Sequence, residues 1–251
     1  MVLCLLLPRA AHAVLEGVGA GVAAQLPGLQ FPAVAHPEGC FGWSTRFASG
    51  HAGFSASTAR LFSLPELEGR NLAFSLPLGS WETVAGLRDF GFSAWRERSL
   101  VLAGSRELGA GSRFRVGVGG HALWVEEVLE RRILLVDGVL SLPVSPLTLH
   151  LGVRTPTAGD PWVGTRQLQR LEGRLSNGWV LSVERQGETG RAQQHTVRIE
   201  WLWKEQRFSL AWLGDAGWTG AFWCKTPAGS VLVSCWWHPW LPVSPAVGYY
   251  Y

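Results

Sequence analysis

No stretch of the chain approaches the ~18 consecutive apolar residues that a spanning helix requires, so a helical membrane protein is excluded. Charge is also scarce. Asp, Glu, Lys and Arg make up 16% of the residues, against about 25% in an ordinary soluble domain. The net charge is only +3, and the basic residues are scattered rather than run together. That pattern argues against a nucleic-acid-binding tract. The four cysteines, Cys4, Cys40, Cys224 and Cys235, form no CxxC and no Cys/His ligand spacing. Zinc is therefore not expected, free thiols are, and no cofactor is implied. Nor is there a GxSxG, the elbow that an acyl hydrolase of the common kind would carry.

What is present is glycine, 31 of 251 residues, and tryptophan, 14. The chain is 47% hydrophobic, so it cannot be disordered, and its Gly and Pro content excludes a coiled coil. Apolar residues come in short alternating pieces. Low charge, high glycine, many tryptophans and no long apolar run together predict a β protein with an apolar exterior.

Met1–Ala13 has an apolar stretch, Val2–Leu7, and a small-x-small end, Ala11-His12-Ala13. It resembles the second half of a secretory signal peptide, without the positively charged start, and the true start codon is expected further upstream. Residues 14–50 show no sustained alternation and read as a short helix or coil outside the regular sheet.

From His51 the character changes to a meander of strands separated by turn residues. In Thr196–Trp203, Val197, Ile199, Trp201 and Trp203 share one face, while Arg198 and Glu200 share the other. Trp179–Arg185 sets Trp179, Leu181 and Val183 against Glu184. Leu147–Val153 sets Leu147, Leu149, Leu151 and Val153 against His150. In Arg113–Trp124, Phe114, Val116 and Val118 oppose Arg113, Arg115 and His121. About fourteen such strands fit residues 51–251. Every second connection is tight, as at Gly79-Ser80, Asn177-Gly178 and Pro227-Ala228-Gly229, and the alternate ones are longer, notably Arg154–Arg166 and His238–Pro245. Short turns on one rim and long loops on the other are the signature of a bacterial outer-membrane barrel. The expected fold is all-β: a closed antiparallel transmembrane β-barrel of about 14 strands, with Leu149 and Trp201 facing lipid. Arg113, Arg115, His150, Glu184, Arg198 and Glu200 are the candidate lumen residues, and charges that pair across a lumen fill it rather than conduct. The chain ends in an aromatic row, Val247, Tyr249 and Tyr251, which looks like the terminal strand that barrel-assembly machinery recognises. Tyr250 points the other way and is expected to accept serine.

Leu61–Leu67, Asn71–Ser80, Phe90-Gly91-Phe92, Arg96–Leu100 and Trp237-His238-Pro239 resemble PorV/PorQ-type outer-membrane proteins, relatives of the FadL hydrophobe transporters. His36, Pro37, Glu38 and Gly39 occupy the place of that family's Asn-Pro-Ala-Gly segment, with Asn and Ala replaced. The resemblance implies an N-terminal segment (residues 14–50) entering the lumen of a barrel formed by residues 51–251, with His36–Gly39 as plug candidates. It implies a non-enzymatic protein of the bacterial outer membrane that acts as a scaffold or partner in protein export or surface attachment. Its partners would be outer-membrane lipid, the assembly machinery and secretion-system proteins. The alternative is a FadL-like passage for a hydrophobic ligand.

Overall fold

In the computed structural model, residues 40–47, 51–64, 67–92, 95–125, 129–158, 164–189, 193–214, 217–240 and 242–251 are described. The leader and the plug candidates His36, Pro37, Glu38 and Gly39 lie outside them. Among the described residues fourteen strands run in order: β1 (Gly53–Arg60), β2 (Glu68–Leu78), β3 (Trp81–Phe92), β4 (Trp95–Gly109), β5 (Ser112–Val125), β6 (Leu129–Val144), β7 (Leu147–Pro156), β8 (Arg166–Arg174), β9 (Trp179–Glu188), β10 (Gln194–Trp203), β11 (Gln206–Trp212), β12 (Trp218–Thr226), β13 (Gly229–Trp237) and β14 (Ser244–Tyr250). Each pairs antiparallel with its neighbours in sequence, and β14 closes on β1. Closure leaves no edge, the condition for a sheet to sit in lipid.

The turns follow from local chemistry. Asn177 and Gly178 both take positive φ (62° and 82°). A side chain on Gly178 would strike the Leu202 carbonyl, so the β8–β9 turn requires glycine there.

Alternation sorts the side chains as the sequence predicts. Leu72, Phe74, Leu76 and Leu78 of β2, Leu100 and Leu102 of β4, and Leu171, Val183, Ile199 and Val247 elsewhere face outward and are exposed. A soluble protein does not carry so continuous an apolar exterior. Leu72 to Leu78 alone spans about 20 Å of strand at ~3.3 Å per residue, close to the height of a lipid-facing band. Aromatic rings mark both borders. At the short-turn rim Trp201 stacks on Trp179 (5.9 Å between ring centroids), Trp203 (5.9 Å) and Phe208 (5.6 Å). At the loop rim Trp212, Trp218 and Trp237 lie directly opposite one another on β11, β12 and β13. Rings with a polar edge favour the two membrane interfaces. The exterior is thus that of a transmembrane barrel.

The strands are strongly tilted. One row of directly paired residues runs Trp179, Trp201, Phe208, Phe222, Val233, Val247, Thr58, Arg70, Asp89, Arg98, Ala122, Arg132. It leaves the aromatic rim at β9 and reaches the charged loop rim at β6. The wall is also uneven: β4, β5 and β6 have 15, 14 and 16 residues, whereas β11 and β14 have 7 each.

Leu149 faces outward opposite Leu142 and Leu171. Trp201 faces outward too, and each of the two lies in the third residue pair from a tight turn, Leu142↔Leu149 and Trp201↔Phe208. Leu149→Arg and Trp201→Arg are therefore expected to cost similar amounts, below the about 2–4 kcal/mol of arginine at the midplane of a barrel. A refolding titration in lipid in which one cost the full midplane penalty and the other nothing would contradict this placement.

Candidate functional site: a plugged lumen

The inward positions hold a dense set of charges. Register makes the pairs: Arg166 is directly opposite Glu188, Arg170 opposite Glu184, and Asp137 opposite Arg154. Arg166 and Glu188 meet at 2.8 Å. The Arg170 Nε donates to Glu184 at 2.5 Å, and Gln186 donates to the same carboxylate at 2.5 Å. Arg198 and Glu200 lie 3.9 Å apart on β10. A slip of one residue would move these charges into lipid, so they specify register more than they add stability.

Into this lumen the segment Cys40–Phe47 is packed. Cys40, Phe41, Trp43, Thr45 and Phe47 are all buried. Barrel arginines hold its backbone. Arg115, whose side chain is fully buried, donates from Nη1 to the carbonyls of Gly42 (2.8 Å) and Ser44 (3.1 Å) and from Nη2 to that of Cys40 (2.7 Å). Its Nη2 also pairs with Asp137 at 3.0 Å. Arg154 donates to the Gly42 carbonyl at 3.1 Å. Arg113 donates to the Thr45 carbonyl at 3.2 Å and to Glu82 at 2.6 Å, while Glu82 accepts the Phe47 N–H at 3.0 Å. The same cations cover the aromatic rings: Arg88 lies 4.2 Å from the Phe41 centroid and Arg154 lies 4.8 Å from that of Trp43, contacts that gain strength once desolvated.

Glycines make the room. A Cβ on Gly86 would sit 2.5 Å from the Cys40 sulfur, and one on Gly152 would sit 2.8 Å from the Trp43 ring. A Cβ on Gly117, opposite Asp137, would collide with the carboxylate that reaches Arg115.

No family model and no curated protein matches the chain. Among solved structures it is similar to the KdgM porin, with a TM-score of 0.44 and 9% identity over 79% of this chain and 98% of that one. It is also similar to a mutant Rhodopseudomonas blastica porin, with a TM-score of 0.46 and 8% identity over 80% of this chain and 98% of that one. At this level the likeness says nothing of cargo or conduction.

Of the residues singled out from sequence, Arg113 and Arg115 grip the plug, and Glu184, Arg198 and Glu200 form the ion-pair wall on β9 and β10. His150 is inward as expected. Its Nδ1 shares a 2.7 Å hydrogen bond with the Ser141 hydroxyl, which in turn is 3.1 Å from the Thr45 hydroxyl of the plug. Glu172 lies 3.9 Å from its Nε2. Serine, histidine and a carboxylate are therefore together, but not as an acyl hydrolase needs them. The carboxylate is beyond hydrogen-bond reach, and the hydroxyl is covered by Thr45 rather than open to substrate. His121 lies outside the described side chains.

Sequence reasoning missed Asp137, Arg154, Arg88, Gly86 and Gly152. The available signal was aromatic residues in a segment without strand period, Cys40–Phe47, combined with glycines at inward parity.

Tyr250 corrects one expectation. It points inward, but into an apolar sector of the lumen with Ala59, Leu61, Phe90, Leu232 and Ala246, flanked by Trp223 and Trp236. Inward does not mean polar on this side of the barrel, so serine is not a neutral replacement.

Proposed function

We propose that this protein is a non-enzymatic bacterial outer-membrane barrel that does not conduct, and that it acts through its rim and wall as a scaffold or partner in protein export or surface attachment, as PorV/PorQ-type proteins do. The observation that carries this reading is the grip of Arg115, Arg154, Arg113 and Glu82 on the backbone of residues 42–47. A conduit needs an aqueous path; here the bonds that would hydrate a pore are made to a resident peptide and to partner charges.

The apolar inner sector around Leu232, Trp223, Trp236 and Tyr250 favours a second reading, a FadL-like passage for a hydrophobic molecule. The two separate in one pair of measurements. For a scaffold, planar bilayers containing the purified protein stay at baseline conductance, and a pull-down in mild detergent recovers a stoichiometric protein partner. Porin-like ohmic steps from the wild type would overturn the non-conducting reading. A co-purifying hydrophobic molecule without a partner would transfer the assignment to the passage.

A further inference from the structure

The lipid-facing wall is not of one height. On β6 the outward residues above the short turn are Val144, Leu142, Leu140, Gly138, Val136 and Leu134, and the first polar one is Arg132. Val144 and Leu134 lie ten residues apart. At ~3.3 Å per residue and a strand tilt of about 40°, that is roughly 25 Å of height, the full apolar band of a membrane barrel. On β9 the outward residues are Trp179, Leu181 and Val183, and the next is Arg185. On β8 they are Gly173 and Leu171, followed by Gln169 and Gln167. Trp179 and Val183 lie four residues apart, roughly 10 Å of height by the same geometry.

The low border is in register. Gln169 of β8, Arg185 of β9 and His195 of β10 stand directly opposite one another, and all three are exposed on the outer face. The row below them, Leu171, Val183 and Val197, is apolar. The stacked rings of Trp179, Trp201 and Trp203 hold the other border of these strands at the short-turn rim, as interfacial aromatics do. The shortfall therefore lies on the loop side.

A short apolar wall is met by a thinned bilayer, by snorkelling side chains or by association with another chain. Gln169 and His195 are too short to snorkel across the missing ~15 Å. Tilting the whole barrel does not help, because the full-height β6 stands only two strands from β8. Another chain would have to bring polar groups against this row within the membrane. Lipid headgroups and their water supply such groups directly.

We propose that the outer face of β8–β10 thins the membrane locally, drawing headgroups of the loop-side leaflet down onto Gln169, Arg185 and His195. The proposal rests on the membrane-barrel reading of the exterior. It holds whatever the net charge of the row, because any of these side chains is costly in hydrocarbon.

The test is spin-label accessibility in barrels refolded into dioleoyl phosphatidylcholine vesicles. Cys4, Cys224 and Cys235 are changed to serine, the buried Cys40 is kept, and one label is placed at Gln169→Cys or Val136→Cys. Val136 lies eight residues above Val144, and Gln169 lies six above Leu175. The expected result is an inversion. The label at the higher position 136 is relaxed mainly by oxygen, which partitions into hydrocarbon. The label at the lower position 169 is relaxed at least threefold more by a water-soluble nickel chelate. A second measurement finds the acyl-chain length that gives the highest urea unfolding midpoint. Gln169→Leu with Arg185→Leu and His195→Leu raises the low wall and should move that optimum to longer chains. A heat-dependent gel shift reports folding, and the two labels carry the test if the triple variant does not fold. Oxygen-dominated relaxation at both positions would overturn the proposal, as would an unchanged optimum in a folded triple variant. A wild-type dimer that the triple variant loses would assign this wall to a second copy and overturn it too. Poor oxygen access at position 136 would sink the barrel reading instead.

Discussion

Arg115→Ala should lower the stability of the folded barrel by about 3–5 kcal/mol, the usual cost of removing one partner from a buried charge pair. The argument is local. Arg115 bonds three successive parts of the plug, the carbonyls of Cys40, Gly42 and Ser44, while also pairing with Asp137. Alanine leaves those carbonyls and the carboxylate short of donors in a site where water was excluded, and such groups are costly when unmade. Arg154 cannot take over, because it already serves Gly42 and lies 3.8 Å from Asp137. The expected readout is a leftward shift of the urea unfolding midpoint in detergent. The non-conducting reading adds a second: loosening the plug should make the variant flicker in planar bilayers where the wild type is silent. Asp137→Asn in the same chain should recover part of the stability, since the uncompensated carboxylate is then gone. A midpoint equal to wild type for Arg115→Ala would mean that the plug contributes nothing to the fold.

The strands were legible because lipid on one side and a charged lumen on the other impose a period of two over nearly the whole body. Val197, Ile199 and Trp201 against Arg198 and Glu200 is a pattern that only one register satisfies. The tight turns were legible from Gly79-Ser80 and Asn177-Gly178. Strand length was less so. β4 and β6 run to 15 and 16 residues, longer than their alternating cores, because their ends rise past the apolar band into arginines that carry no period signal. The plug was not legible as a contact at all. Cys40–Phe47 has no period, and the residues that hold it come from β3, β5 and β7, brought together only by closure. Arg154 and Arg115 are far apart in the chain, and Asp137 between them looks like one polar break in an apolar run. Gly86 and Gly152 read as ordinary strand glycines until the rings of Phe41 and Trp43 are placed against them. Tyr250 failed for a different reason: parity gave its direction correctly, but the chemistry of that sector of the lumen depends on β12, β13 and the turn after β1.

Deleting Tyr249–Tyr251 is expected to reduce folded protein in the membrane at least tenfold, far beyond what three residues contribute in area. The seam between β1 and β14 rests on five residue pairs, from Ser55↔Tyr250 to Ala59↔Ala246. Phe54 and Tyr251 extend it by exchanging two backbone hydrogen bonds of 2.8 Å each. The deletion removes Ser55↔Tyr250, Ala56↔Tyr249 and the Phe54–Tyr251 exchange. On the other edge it removes Ser230↔Tyr250 and Val231↔Tyr249. Both neighbours are then left with unpaired backbone groups along the closing seam, the open edge that a barrel in a membrane must avoid. The Tyr249 hydroxyl also donates to the Ala228 carbonyl in the β12–β13 turn, so that turn loses its anchor as well. Tyr250→Ser isolates the packing component, because it keeps every backbone bond. It empties the space between Leu61, Phe90 and Leu232 and should cost about 3 kcal/mol, as large-to-small changes in a packed cluster do. Tyr250→Phe should cost far less. Quantitative recovery of heat-modifiable barrel from outer membranes ranks the variants: wild type and Tyr250→Phe close together, Tyr250→Ser clearly below, and the deletion near zero. If Tyr250→Ser matched wild type, the apolar sector would not be a packed core. If the deletion did, the last strand would not be what closes the barrel.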